Sequence, residues 1–208
     1  MSAPTALIAI VLDRSGSMSP FRDDVIGGFN TLLEEQKALP GKAQLLLAQF
    51  DGQYEIVFDA VPLADVPPLT RSTFVPRAGT ALLDALGRTI DDVAERLRRL
   101  PEAERPHRVL VVVFTDGEEN SSRQYTPTVV KERIEACREC GWEFLFLGSV
   151  IAAVDESIGW GVDPSSTMVF SATALGFRQA FRALSESLVL QRQGRRPTQD
   201  DDGKKKMN

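Results

Sequence analysis

Two uninterrupted apolar runs, "TALIAIVL" at residues 5–12 and "VLVVVF" at residues 109–114, constrain this chain more than any other feature. Each falls short of the roughly 20 residues that cross a bilayer. Neither alternates polar with apolar positions, so neither suits a strand with one wet face. Such a strand must be covered on both sides, as in a parallel sheet between helices. Both runs lead into a carboxylate, Asp13 and Asp116.

The rest of the chain supplies the cover. After the first run, Phe21, Val25, Phe29, Leu32 and Leu33 recur at helical spacing, and Pro20 suits a first helical position. Gly27 and Gly28 interrupt this helix at about 1 kcal/mol each relative to Ala, a cost that close packing on the sheet would explain. "AQLLLAQF" and "YEIVFDAV" flank an Asp-Gly turn and should pair antiparallel. The second of them sets Tyr54, Ile56 and Phe58 against Glu55, Val57 and Asp59, as expected of an edge strand. A proline-rich loop follows. Leu82, Leu83, Leu86, Ile90, Val93, Leu97 and Leu100 then mark a long amphipathic helix. Beyond the second buried run come a helix from Thr126-Pro127 to Gly141, the strand "WEFLFLG", a short helix over "AAVDESIG" and a short strand "TMVF". A last helix carries Phe177, Phe181, Leu184 and Leu188. The expected fold is an open, doubly wound α/β sheet of six mostly parallel strands, with one antiparallel edge strand and helices on both faces. A single domain should occupy 1–190. The polar segment 191–208, ending "PTQDDDGKKKMN", has nothing to bury and is expected to be a disordered tail.

Composition narrows the function. A hydrophobic content of 43% in 208 residues supports a sizeable core. The net charge of −5 gives no electrostatic case for nucleic acid. The N-terminal run lacks a basic leader and a cleavage pattern, so it reads as a strand, and no membrane partner is expected. Cys137 and Cys140 are the only cysteines, too few for a disulfide framework, which points to the cytoplasm.

In open α/β sheets, sites gather beyond the carboxyl ends of strands where the strand order reverses. Three polar sets fall at such places: Asp13-x-Ser15-x-Ser17 in "DRSGS", Thr80 in "GTALLDAL", and Asp116 in "FTDG". Each alone is an ordinary turn or, for Thr80, a helix N-cap. Together, and in this order with Thr115-Asp116-Gly117, they resemble the metal-ion-dependent adhesion site (MIDAS) of the von Willebrand factor A (vWA) family. The resemblance covers roughly residues 4–190, and the "FLFLGS…SIGWGVD…MVFSAT" region is similar to small stand-alone bacterial or phage members. It implies a Rossmann-like vWA fold. It also implies that Ser15, Ser17 and Thr80 offer hydroxyls to a divalent cation, while Asp13 and Asp116 offer carboxylates directly or through water. Hard oxygen donors favour Mg2+, with Ca2+ or Mn2+ as alternatives. An open coordination position would accept an Asp or Glu from a protein partner, making the chain an interaction module and not an enzyme.

The competing expectation is a haloacid-dehalogenase-like, Mg2+-dependent phosphotransferase using Asp13. That chemistry typically wants a second aspartate where this chain has Ser15, and its lysine is not evident. No P-loop is present. Ser15 and Ser17 have no histidine nearby in sequence. The C-x-x-C pair closes a helix and has no second ligand pair, so its thiols are expected to be buried or half-buried; His107, the only histidine, has no evident partner. Glu118 and Glu119 read as a solvated acidic loop that could also tune the site. Trp160 suits either an exposed binding loop or packing on the sheet edge.

Overall fold

The computed structural model describes residues 6–194. Six strands form one sheet in the order β3-β2-β1-β4-β5-β6. They are β1 (Ala6–Asp13), β2 (Ala43–Phe50), β3 (Tyr54–Pro62), β4 (Val109–Thr115), β5 (Glu143–Gly148) and β6 (Thr167–Val169). All neighbours are parallel except β2 and β3, which pair antiparallel. Five helices join them: α1 (Arg22–Ala38), α2 (Leu82–Arg99), α3 (Pro127–Glu139), α4 (Ile151–Gly159) and α5 (Ala174–Arg192). The doubly wound fold read from the sequence is therefore the fold observed.

Every residue of β1 is buried, and its side chains alternate between two cores. Ile8, Ile10 and Leu12 face α1 and α5, meeting Phe29, Leu33, Phe177 and Phe181. Leu7, Ala9 and Val11 face α2, α3 and α4, meeting Leu86, Ile90, Ile134 and Trp160. Full burial of each such side chain stabilises by about 1.5–3 kcal/mol, which is why polar residues vanish from this strand until its carboxyl end. Beneath α5, Phe114 stacks on Phe181 at 4.4 Å and lies 5.0 Å from Phe170.

Several local expectations shift. A 3₁₀ turn over Gly16–Phe21 precedes α1, so Pro20 lies inside that turn and not at the first α-helical position. Met18 N–H donates to Ser15 O to close the turn, and proline's fixed φ and missing N–H suit it as well as they suit a helix start. Gly28 is explained by packing: a Cβ there would lie 2.3 Å from the Phe181 ring. Gly27 is not, because nothing lies within 4 Å of its Cβ position. The alternation expected along β3 fails, since Ile56 is exposed while Val57 and Phe58 are half-buried against the α1/α5 core. Register shifts on either side of Leu47 each place an extra residue in β3, and each extra residue moves the following side chains to the other face. α5 runs to Arg192 and Gln191 is buried. Residues 195–208, where the rest of the expected tail falls, lie outside the described residues.

Cys137 is buried but Cys140, at the end of α3, is exposed. The helix ends there and turns its last side chain outward. Trp160 is buried edge-on to Phe146 at 6.3 Å, which decides for packing over an exposed loop. His107 is exposed.

Candidate metal centre

The chain reverses direction at β1. The α1 crossover leads to β2 on one side, and the α2 crossover returns to β4 on the other. The carboxyl ends of β1 and β4 therefore lie side by side, and Asp13 and Asp116 with them. This is the crevice that the sheet topology makes available for a site.

Asp13 ends β1 with no exposed surface. Ser15 N–H donates to its Oδ1 at 2.6 Å, and the Thr115 hydroxyl donates to its Oδ2 at 2.6 Å. The 3₁₀ turn then brings Ser15 Oγ within 2.9 Å of Ser17 Oγ. Ser17 Oγ donates to Asp116 Oδ1 at 2.6 Å, and Ser15 Oγ lies 3.5 Å from the same oxygen. Residues 103 apart in sequence thus share one hydrogen-bonded cluster.

Thr80 arrives from the loop before α2. That loop is laid against the ends of β1 and β2 by Arg77 N–H donating to Arg14 O and by Ala81 N–H donating to Asp51 O. Thr80 was expected to cap α2, but the N-cap is Ala81 and no side chain of the helix's own entry caps it. The cap comes from the following loop: Leu83 N–H donates to Glu119 Oε2 and Asp84 N–H to Ser122 Oγ. Glu119 also accepts from Ser121 N–H and Ser122 N–H. Asp84 returns the favour by accepting from the backbone of Arg123, Gln124 and Tyr125. Thr80 is thereby released from capping. Its hydroxyl and that of Ser17 lie 3.7 and 3.9 Å from the point a Cβ on Gly117 would occupy. Any side chain at 117 would crowd into the space that these two hydroxyls share.

The electrostatics suit a cation. Among the described residues, Asp13 and Asp116 have no basic partner. The adjacent Arg14 points away, its Nε on Asp51 Oδ2 at 2.8 Å and its Nη1 on Glu55 at 2.7 Å, and Arg77 joins the same Asp51 oxygen. Burial pushes Asp13 up to about 6, against the pull of its hydrogen bonds from Thr115 and Ser15. Burial likewise raises Asp116. Two desolvated carboxylates with no counter-ion among the described residues, with the neutral hydroxyls of Ser15, Ser17 and Thr80 nearby, form an all-oxygen set whose charge a divalent cation would balance. The oxygen chemistry of these five residues would fit a hard divalent cation. Outside them, burial raises Glu156, helped by the nearby Glu118 and Glu119, which leaves an acidic rim beside the centre.

All five residues anticipated as ligands fall in this region. Thr115 and Glu119 carry roles that the sequence did not disclose. Thr115 stood within the recognised motif, but its hold on Asp13 depends on β1 and β4 being neighbours. Glu119, read as a solvated loop residue, braces that loop against α2, and no sequence signal marks such a non-local cap.

No protein-family model matches this chain, and no curated protein does. Solved structures do. Proximal thread matrix protein 1 (PTMP1) from the mussel byssus superposes with a TM-score of 0.58 at 16% identity, over 88% of this chain and 46% of that one. A von Willebrand factor type A protein from Catenulispora acidiphila gives 0.59 at 16%, over 89% and 43%. The conserved hypothetical protein BatB from Bacteroides thetaiotaomicron gives 0.55 at 17%, over 88% and 97%. The chain spans less than half the length of the first two. One PTMP1 structure has a zinc-occupied MIDAS motif. An open doubly wound sheet with an oxygen-rich crevice at its switch point defines the class. Within that class, the fold is that of a vWA domain.

Proposed function

We propose that this chain is a metal-dependent interaction module. A divalent cation is held by Asp13, Ser15, Ser17, Thr80 and Asp116 and binds a carboxylate from a protein partner. The observation that carries the reading is the meeting of two buried carboxylates that lack a basic partner with hydroxyls from two separate loops. When bound, the cation would supply a positive centre with a position open to an Asp or Glu of the partner. The chain's own residues keep that position aligned. Thr115 and Ser15 N–H fix the Asp13 carboxylate, and Glu119 holds the Asp116 loop against α2. The acidic rim of Glu118 and Glu156 would disfavour partners with more than one negative charge at the contact.

Mg2+ is the ion proposed. The zinc in the PTMP1 motif is a fact about that protein, and oxygen-only ligation here favours the harder ions. The module reading extends to the absence of catalysis. It is supported by Ser15, which stands where phosphotransfer through Asp13 would want a second aspartate. A cytoplasmic setting belongs to the same proposal and rests on the two-cysteine count. No helix among the described residues is long and apolar enough to cross a membrane.

The test is calorimetric titration of EDTA-stripped protein with Mg2+, Ca2+ and Mn2+, followed by capture of acidic-residue partners with metal or with EDTA. Saturable binding lost in Asp13→Ala, with capture lost in EDTA, is expected. Metal binding unchanged by Asp13→Ala would sink the proposal, as would magnesium-dependent turnover of an aryl phosphate abolished by Asp13→Asn.

A further inference from the structure

At the other end of the sheet, where α1, α2 and α5 finish, a cleft of about 770 Å³ opens. Its charged lining is Lys37, Lys42, Arg96 and Arg192 against the single acid Glu104. We propose that this cleft seats the chain's own acidic run Asp200–Asp202, held as the counter-ion of Arg192.

The argument starts from Arg192. Its Nη1 donates to Gln36 O at 2.7 Å and to Gln36 Oε1 at 3.2 Å, and its Nη2 donates to Gly41 O at 3.3 Å. All three acceptors are neutral. Its Nε is buried and has no acceptor among the described residues. Among those residues no carboxylate pairs with it, whereas Lys37 reaches Glu34 and Arg96 reaches Asp59. A guanidinium drawn out of water costs free energy unless an anion offsets it, and burial does hold Arg192 below its ordinary pKa. The cleft's lining thus includes a guanidinium whose charge no carboxylate among the described residues offsets.

The acidic run is close along the chain. Asp200 lies eight residues after Arg192, which itself lines the cleft, and six after Gly194. Six residues extend to at most about 20 Å, so the run can turn back across the cleft. A tether this short gives an effective concentration in about the millimolar range, above that of most free anions. The sign of the lining also selects among the tail's three charged runs, Arg195–Arg196, Asp200–Asp202 and Lys204–Lys206. Asp200–Asp202 is attracted by that sign, whereas the two basic runs are repelled.

The lysines make a direct test possible. Outside the tail the chain has only Lys37, Lys42 and Lys131, and Lys131 lies on α3, away from the cleft. Dilute full-length protein is treated with a carbodiimide, which joins carboxylates to touching amines, and analysed by mass spectrometry. Links within one molecule from Asp200–Asp202 to Lys42 or Lys37, several-fold above links to Lys131 and suppressed by 0.5 M NaCl, are expected. Equal linkage to Lys131, or linkage only between molecules, overturns the proposal. As a second readout, full-length Asp200→Asn/Asp201→Asn/Asp202→Asn should melt roughly 2–4 °C lower at low salt. The same triple change should cost nothing further in an Arg192→Gln chain. If Arg192→Gln does not fold, the crosslinking result decides by itself. If a free tri-aspartate peptide stabilises the intact wild-type chain as much as the triple change destabilises it, the cleft is open and the tail is not its occupant.

Discussion

Asp13→Asn should make the metal-free protein more stable at neutral pH, although it removes a proposed ligand. Burial, opposed only by hydrogen bonds, raises the Asp13 carboxyl from the ordinary 3.8 to about 6. The native state then binds the proton more tightly than the unfolded chain. Wild-type stability is therefore fully present below about pH 4 and falls as the pH rises through about 6. At about 1.4 kcal/mol per pK unit, the charged carboxylate costs about 3 kcal/mol near pH 7.5 and under about 1 kcal/mol near pH 4. Asparagine carries no such cost, and the structure accommodates it. Its carbonyl can accept from Ser15 N–H as Oδ1 does now. Its amide can donate to Thr115 Oγ1, whose own hydroxyl then turns to Gly117 O, already 3.2 Å away. Urea unfolding followed by circular dichroism, in EDTA, at pH 7.5 and pH 4 would measure both differences. The expected gain at pH 7.5 corresponds to roughly 6–12 °C in Tm for a domain of this size. A variant less stable than wild type at pH 7.5, or a gain independent of pH, would refute the claim that Asp13 is a desolvated charge awaiting a counter-ion.

Neighbouring glycines give a matched pair. Gly28→Ala should destabilise by about 1–3 kcal/mol because its Cβ meets the Phe181 ring at 2.3 Å, whereas Gly27→Ala should stabilise by up to about 1 kcal/mol; chemical denaturation of the two variants measures both signs. Ser17→Ala and Thr80→Ala should each weaken Mg2+ binding about tenfold or more with little change in Tm, read by calorimetry beside a melting curve, since neither hydroxyl supports the fold through a long-range backbone bond. Glu119→Ala should cost about 1–2 kcal/mol, because Leu83, Ser121 and Ser122 lose an acceptor. It should also weaken Mg2+ binding by loosening the Asp116 loop; calorimetry showing unaltered affinity would mean that the brace does not reach the site.

Legibility in the sequence followed locality. The continuous apolar runs of β1 and β4 announced strands covered on both faces, because no other element hides such a run. The Asp51-Gly52 turn announced the hairpin, since that dipeptide suits its backbone. Features that failed depended on distant partners. Thr80 had every local mark of an N-cap, yet Glu119 and Ser122, nearly 40 residues on, took the task. The β3 alternation was lost to two register shifts visible only in its pairing with β2. Gly28 became intelligible once Phe181, from the last helix, lay against it.

The same division runs through the metal centre. Residue chemistry and spacing were enough to supply the donor types, the strand ends that bear them and the class of sheet, because each depends on the few residues either side. Convergence was a tertiary matter. β1 and β4 are adjacent only because the chain passes out to β2 and back across the opposite face, and that path sets Thr115 on Asp13 and Ser17 on Asp116. The turning of Arg14 to Asp51 was equally beyond sequence, since it needs β2 alongside β1. An arginine beside a carboxylate in sequence could have neutralised it. Backbone alternation sends the two to opposite sides, so among the described residues no basic side chain pairs with Asp13 or Asp116.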